Sequence, residues 1–244
     1  QGLPPSSPFY PGGAGLAGVP GTPANTSPNF DPAKPLDYGD PALCGGAFAF
    51  GYVQHFVGAA RGDAESVQQL AAYYRSAPAT MATFLSNHDS FAGQRLWDQL
   101  AGDERAYKVA AAGYLLQPGT PFIYYGEEIG QAGVAGLKGD APLRGPMSWT
   151  ADPATAGFTT GRPLRPPAPN LAVHNVQSQQ HDTGSILGFY KTMLRLRNTL
   201  PSLAQGSFEG SFAQGLVLGF QRKWADDKAR EHTVVLINYD KRPA

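Results

Sequence analysis

The sequence predicts an α/β fold followed by a small antiparallel β domain. Between residues 47 and 200, short apolar runs alternate with amphipathic helical segments. The apolar runs are continuous rather than alternating, which is typical of strands buried on both faces of a parallel sheet. From residue 201 to 244 the period becomes strand-like. We therefore expect a parallel sheet with helical crossovers over 47–200 and the start of an antiparallel β domain over 201–244.

Residues 1–46 have a different composition from the rest of the chain. They hold ten of the 22 prolines and nine of the 30 glycines. Proline lacks a backbone N–H, and both residue types interrupt regular structure. We predict a Pro/Gly-rich loop or an extended covering segment here, with a mobile tail or linker as the alternative. Cys44 is the only cysteine, so no disulfide forms within the chain.

Four segments have apolar residues at helical spacing. "AFAFGYVQHFVGAARG" predicts a short strand entering a helix, and "AESVQQLAAYYRS" predicts a second helix. "DERAYKVAAAGYLLQPG" predicts a third, with acidic residues in its first turn and a stop at Pro118-Gly119. "TGSILGFYKTMLRLRNTL" predicts a strongly amphipathic fourth helix.

The strands are shorter than the helices. "TMATFL" and "TPFIYYG" predict two short buried strands, and a Gly/Pro-rich excursion follows from Gly126 to about Asp182. "GLVLGFQRKW" and "HTVVLINYD" predict strands of the β domain. No glycine-rich nucleotide loop follows any strand, so the pattern favours a barrel over a doubly wound sheet.

The charge balance favours a neutral partner. Nineteen basic and nineteen acidic residues give a formal net charge of zero. Long-range electrostatics therefore favour neither nucleic acid nor an anionic membrane. No apolar run is long enough to span a bilayer, and no signal peptide is recognisable. A sugar would suit such a surface, and both secretion and the cytoplasm remain open.

Three polar residues, Asn87-His88-Asp89, follow the apolar run "TMATFLS". In parallel α/β barrels the carboxyl ends of the strands face the active site. A carboxylate beside an imidazole can bind a pair of sugar hydroxyls or stabilise developing positive charge. The alternative is structural, with Asp89 or Ser90 capping the next helical segment.

Further polar and aromatic residues follow the next strand. Glu127 and Glu128 are adjacent and cannot point the same way, so we expect them to orient the backbone or neighbouring basic groups. Trp149 is a candidate for stacking on sugar rings, whereas Trp97 is predicted to pack in the core. No second histidine lies at metal-ligand spacing from His88, and no GxSxG motif is present, which disfavours a zinc site and a serine triad.

These residues together resemble the α-amylase family, glycoside hydrolase family 13. "FLSNHD" (84–89) resembles the last catalytic region of that family, and "QPGTPFIYYGEEIG" (117–130) looks like its eighth barrel strand and the following turn. "RGPMSW" (144–149) is similar to a segment of the loop before the last barrel helix. "NVQSQQHDTGSILGFYKTMLRLRNTLPSL" is similar to the run through that helix, so the resemblance covers roughly residues 47–240.

The resemblance implies part of a (β/α)8 TIM barrel followed by a small antiparallel β domain, with the C-terminal half of the barrel over 47–200. It also implies retaining cleavage or transfer of α-glucosidic bonds, with an α-1,4-glucan or malto-oligosaccharide as substrate. Asp89 resembles the Asp that stabilises the transition state, and His88 the histidine that hydrogen-bonds the sugar. Asn87 and Tyr125 are expected at the same substrate-binding site.

One departure from the family pattern affects the expected activity. The family nucleophile, in a G-x-R-x-D pattern, and its Glu acid/base both lie before this motif, yet the first glutamate here is Glu65, within a predicted helix. We expect the chain alone to be inactive and to require the missing N-terminal half of the barrel as its partner. No cofactor is expected in this chain, and calcium is a candidate for the complete enzyme.

Two other functions are compatible with the residues. The first is a non-catalytic carbohydrate-binding or scaffold chain derived from the same fold. The second is an unrelated α/β enzyme that uses Glu127 or Glu128 as a base.

Overall fold

The computed structural model describes residues 48–75 and 81–242. The predicted loop over 1–46, with Cys44, lies outside the described residues. No helix within the described ranges is long and apolar enough to cross a membrane.

A small parallel sheet lies at the centre of the first part of the chain. β1 (Ala82–Thr83) pairs in parallel with β2 (Thr120–Pro121), with Ala82 opposite Thr120. Phe48 forms an isolated parallel bridge to Ala82 on the other side of β1. The chain returns between these strands through helices, so the predicted parallel sheet with helical crossovers is confirmed.

Helices lie in both crossovers, and the longer ones begin and end near the predicted positions. The first crossover contains α1 (Phe50–Ala60) and α2 (Ala64–Tyr73), and the second contains α3 (Leu96–Gln99) and α4 (Glu104–Leu115). Two aspartates start helices: Asp63 accepts the N–H groups of Glu65 and Ser66, and Asp103 accepts that of Ala106. Each long helix buries its apolar face, as the spacing predicts.

The prediction of a buried strand over "TPFIYYG" is wrong in extent and in burial. β2 has only two residues, Thr120 is exposed, and the side chain of Phe122 is 47% exposed. Pro121 has no N–H to donate, which limits the ladder. Among the described residues β2 pairs only with β1, and the ring of Phe122 packs against that of Phe48, with ring centres 4.7 Å apart, while the rest of its surface stays exposed.

The segment after β2 is long and irregular, as the glycines and prolines predict. It contains two short 3₁₀ turns, Glu127–Ile129 and Ala141–Arg144, and α5 (Val176–Gln179). Side chains satisfy its backbone: the carbonyl of Ile129 accepts from Gln179 Nε2 at 2.8 Å and lies 2.9 Å from His174 Nδ1. These bonds hold the irregular loop in one conformation.

The remainder of the described chain is two helices and an antiparallel sheet. α6 (Ile186–Thr199) begins where Ser185 Oγ accepts the N–H of Gly188, and α7 (Pro201–Gln205) follows it. The sheet contains β3 (Glu209–Gln214), β4 (Val217–Ala225) and β5 (Arg230–Asn238) in the order β3–β4–β5. β4 and β5 match the predicted strands, whereas β3 had no separate prediction.

One continuous apolar core joins the helices to this sheet. It combines residues of α1, α2, α4 and α6 with the inner face of the sheet, where Leu218 lies opposite Ile237. Phe220 and Val235 extend the same inner face. The antiparallel sheet therefore packs directly against the helical layer, and this layer in turn supports the strand ends of β1 and β2.

Candidate functional site

The predicted polar turn lies at the end of β1. The chain leaves β1 through buried Phe84, Leu85 and Ser86 before it reaches Asn87. The amide oxygen of Asn87 accepts the backbone N–H of Asp89 at 2.8 Å. This Asx-type bond reverses the chain locally and sets the direction in which His88 and Asp89 leave the backbone.

The Asp89 carboxylate is an ion-pair partner rather than a helix cap. Its side chain makes no cap hydrogen bond to the 3₁₀ turn Ser90–Ala92. Instead Oδ1 accepts from Arg144 Nη2 at 2.9 Å, and His88 Nε2 lies 3.4 Å from the same oxygen. The Asp89 side chain is 30% exposed and that of His88 is 62% exposed, so both remain accessible.

Arg144 connects the end of β1 to the loop after β2. Besides Asp89, its Nη2 donates to Asp140 Oδ2 at 2.8 Å, and its Nε donates to the carbonyl of His88 at 2.9 Å. Asp140 Oδ1 accepts the N–H and the hydroxyl of Ser90, both at 2.8 Å, which lowers the pKa of Asp140. Arg144 is not among the predicted site residues, although the segment "RGPMSW" begins with it.

Three of the four predicted site residues share one pocket. Asn87, His88 and Asp89 line a cavity of about 250 Å³. Its other walls are aromatic and aliphatic side chains with the Ser86 hydroxyl: Phe48, Phe50, Phe84, Ser86, Phe122, Ile123 and Tyr124. Tyr125 lines a neighbouring cavity of about 630 Å³, which also contains Arg144. Arg144 lines the larger cavity and contacts Asp89, which lines the smaller one; Tyr124 lines the smaller cavity with Asp89, whereas Tyr125 does not.

A buried arginine holds the two tyrosines. Arg95 is 1% exposed, and its guanidinium carbon lies 4.4 Å from the ring centre of Tyr124 and 4.6 Å from that of Tyr125. It donates to the carbonyls of Tyr125 and of Leu143, the latter at 2.6 Å. Arg95 thereby fixes the residue that precedes Arg144, a role that the sequence did not indicate.

Glu127 is enclosed in the core behind the site. Its Oε1 accepts from Tyr114 at 2.8 Å and Tyr190 at 3.0 Å, and its Oε2 accepts from Ser86 at 2.9 Å. Burial raises the pKa of Glu127 to about 7, against the opposing effect of these donors. The expectation that Glu127 orients the backbone or a neighbouring basic group is wrong for its side chain, because the carboxylate binds hydroxyls, and one of them belongs to Ser86, directly before Asn87.

Glu128 points to a different environment from Glu127. It lines the 630 Å³ cavity beside Tyr125 and Arg144. Burial raises the pKa of Glu128, and within the described part of the chain its buried Oε2 accepts no hydrogen bond. The two adjacent glutamates therefore differ, as expected, in the direction they face.

The other carboxylates near the site are structural, and the described ranges offer no metal centre. Asp98 accepts the N–H of Gly133 at 2.7 Å. Among residues 48–75 and 81–242, no group of three or more His, Cys, Asp or Glu side chains is arranged to hold a metal ion.

The fold and the site define a class of protein. Parallel strands with helical crossovers, a polar turn at a strand end and a following antiparallel sheet define part of a TIM-barrel protein with its site at the carboxyl ends of the strands. The model of the α-amylase catalytic domain matches residues 61–206, which is more than half of the chain. The chain belongs to the α-amylase family, which confirms the resemblance of its motifs.

Individual relatives agree with this assignment. The chain is 41% identical over 145 residues to α-amylase SusG of Bacteroides thetaiotaomicron, an alignment that covers 59% of the chain and 20% of that protein. It is 35% identical over 153 residues to trehalose synthase/amylase TreS of Mycobacterium tuberculosis, covering 59% of the chain and 25% of that protein. It therefore spans about a quarter or less of these relatives.

A solved structure supports the fold. The crystal structure of α-amylase from H. orenii superposes with a TM-score of 0.64 at 27% identity, covering 82% of this chain and 40% of that one. The predicted fold class, part of a TIM barrel followed by a small antiparallel β domain, is confirmed.

Proposed function

We propose that this chain forms the C-terminal part of the catalytic domain of a retaining glycoside hydrolase that acts on α-1,4-glucans. One observation carries the proposal: the Asp89 carboxylate, held by Arg144 and adjacent to His88, lines an aromatic-walled pocket at the end of a parallel strand. A neutral polymer of sugar rings suits aromatic walls with a few polar groups.

Asp89 would act on the charge that develops during bond cleavage. Glycoside hydrolysis passes through an oxocarbenium-like transition state with positive charge on the sugar. Both side-chain contacts of Asp89 in the described chain use Oδ1, which leaves Oδ2 to face the substrate or accept its hydroxyls. His88, which is largely exposed, would donate from its imidazole to a hydroxyl of the same sugar.

The nucleophile and the acid/base are assigned outside the described residues. Retention requires two carboxyl groups about 5 to 5.5 Å apart beside the scissile bond. Near Asp89, Asp140 is engaged by Ser90 and Arg144, and Glu127 is buried. We assign both reactive carboxyls, and calcium where it is bound, to the N-terminal half of the barrel, and we expect this chain alone to be inactive.

The aromatic wall supports such a partner. Phe48 is 44% exposed and Phe122 is 47% exposed, and both lie at the outer strands of the short parallel sheet. Further barrel strands would pair with these open edges and cover the exposed rings.

The test is to incubate the full-length protein containing this chain with maltoheptaose and to record the product anomer by proton NMR. We expect initial release of the α-anomer, and no cleavage of β-1,4-linked cello-oligosaccharides. Initial release of the β-anomer would contradict retention. Tight binding of maltoheptaose without any product would instead identify a non-catalytic carbohydrate-binding chain.

A further inference from the structure

We propose that Glu127 is a positioning residue for the polar turn 87–89: through the hydroxyl of Ser86, its carboxylate fixes the direction in which that turn presents Asp89. This inference rests on the proposed function and concerns a residue that does not touch the substrate. Glu127 is 1% exposed and Ser86 is 3% exposed, so the bond between them is shielded from water. A hydrogen bond to a carboxylate in such surroundings is strong and directional.

The carboxylate of Glu127 joins the end of β1 to two helices. Its Oε2 accepts the Ser86 hydroxyl at 2.9 Å, whereas its Oε1 accepts those of Tyr114 on α4 at 2.8 Å and Tyr190 on α6 at 3.0 Å. The backbone carbonyl of Glu127 also accepts the hydroxyl of Tyr107 at 2.7 Å. The three tyrosines belong to the continuous core, so Ser86 is linked through one side chain to rigidly packed helices.

Ser86 transmits this link to the site because it directly precedes the polar turn. The amide oxygen of Asn87 accepts the N–H of Asp89 at 2.8 Å, which sets the shape of the turn. The bond from Ser86 to Glu127 sets where that turn lies relative to the helices, while Arg144 holds the Asp89 carboxylate from the loop after β2. A displacement of about 1 Å at a reacting group can cost about 10²-fold in rate, so this anchor matters for turnover.

The ionisation of Glu127 determines how strongly the anchor holds. Hydrogen bonds to an ionised carboxylate are roughly twice as strong as neutral ones. Burial raises the pKa of Glu127 to about 7, against the opposing effect of its hydroxyl donors. The carboxylate is therefore mostly ionised above about pH 7 and mostly protonated below it. The bond to Ser86 is strongest on the alkaline side and weakens as the pH falls.

The neighbouring groups leave Glu127 as the group that changes charge near neutral pH. Within the described chain, three phenols, a carboxyl and a guanidinium act at this position: Tyr107 and Tyr114 on α4, Tyr190 on α6, Glu128 and Arg95. Burial raises the pKa of all three phenols, so they remain protonated donors. The charge of Glu128 raises the pKa of Glu127, while Arg95 lowers that of Glu128. The Ser86 hydroxyl does not titrate in this range.

The experiment measures kcat and KM of the full-length protein on maltoheptaose between about pH 5.5 and 8.5. Ser86→Ala removes the link alone, Glu127→Gln replaces the carboxylate with a neutral group of the same shape, and Tyr190→Phe removes a donor from the other oxygen. Ser202→Ala is the matched control, because Ser202 is fully buried and its hydroxyl donates to Glu231 between α7 and β5. The thermal midpoint of each variant verifies folding.

At about pH 8.5, Ser86→Ala and Glu127→Gln should each reduce kcat about tenfold with KM little changed. At about pH 5.5 the ratio of wild-type kcat to that of each variant should fall to about 3 or less, with a midpoint near the pKa of about 7. Tyr190→Phe should keep the alkaline kcat and move this midpoint to higher pH, because the carboxylate loses one donor. Ser202→Ala should lower the thermal midpoint alone.

The alternative outcomes separate this inference from the proposed function. If Ser86→Ala loses stability as Ser202→Ala does but keeps the wild-type kcat and pH profile, Glu127 is merely structural and the proposed function stands. A loss of kcat in Ser86→Ala that is equal at every pH would also refute the role of Glu127. If the wild type cleaves no maltoheptaose at any pH, the proposed function fails, and this inference fails with it.

Discussion

The side chains of Arg144 and Asp89, 55 residues apart in the sequence, meet in an ion pair of 2.9 Å between Nη2 and Oδ1. The same nitrogen donates to Asp140, and Nε of Arg144 donates to the carbonyl of His88. The end of β1 and the 3₁₀ turn Ala141–Arg144 therefore both contribute to the orientation of one carboxylate. This relationship leads to separate predictions for the carboxylate and for the guanidinium.

Asp89→Asn in the full-length enzyme should reduce kcat by about 10²- to 10³-fold, because the amide keeps the shape but loses the charge that stabilises the transition state. Initial rates on maltoheptaose measure the effect, and thermal unfolding checks that the fold is unchanged. Asp227→Asn, at an exposed position, is the control and should retain full activity. Near-normal turnover of Asp89→Asn would exclude it as the stabilising carboxylate.

Arg144→Lys should reduce kcat by about 10- to 100-fold, because an ammonium group cannot hold Asp89, Asp140 and the His88 carbonyl together. The ion pairs are partly exposed, so the free energy of unfolding should change by no more than about 1 kcal/mol. Arg162→Lys, at an exposed position in the same loop, is the matched control. If the loss of activity were accompanied by a large fall in the free energy of unfolding, Arg144 would have a merely structural role.

Glu127→Gln should remove part of the pH dependence of stability. The folded protein raises the pKa of Glu127 from 4.5 to about 7, so the folded state binds this proton more tightly than the unfolded state. The resulting stabilisation is fully present below about pH 4.5 and is lost as pH rises to about 7. The contribution of Glu127 to the free energy of unfolding changes by about 3 kcal/mol between these two pH limits.

Chemical denaturation of the wild type and Glu127→Gln between pH 4 and 8 tests this prediction. Comparing the two proteins isolates Glu127 from Glu128, whose pKa is also raised by burial. The free energy of unfolding of the wild type should fall relative to that of the variant across this range. Parallel curves would show that Glu127 does not titrate there.

Arg197→Met should destabilise the fold by about 3 to 5 kcal/mol. Its guanidinium, on α6, donates to the carbonyls of Leu115, Gln117 and Gly119, and the first two bonds measure 2.8 and 2.6 Å. Removing it leaves buried acceptors at the end of α4 and before β2 without donors. Urea denaturation measures the loss, and Arg195→Met, at an exposed position on the same helix, should change stability by less than about 1 kcal/mol. A loss as small as that of the control would contradict this role.

The sequence by itself was sufficient for the long helices, the polar turn and the family. The spacing of apolar residues predicts α1, α2, α4 and α6. Each long helix must bury one face, and the residues of that face recur at regular intervals within one short segment of the chain. The change from a continuous apolar run to Asn87-His88-Asp89 marks a strand end for the same local reason.

Only the tertiary structure decided which side chains meet at the site. No local pattern distinguishes Asp89 as a helix cap from Asp89 as the partner of Arg144, or indicates that Glu127 turns inward to Ser86 while Glu128 faces a cavity. The exposure of Phe122 likewise depends on whether other strands pair with β2, which its own apolar sequence does not encode. Periodicity reflects contacts between near neighbours in the chain, whereas the site depends on contacts between a strand end and a loop that are far apart in sequence and are brought together by packing.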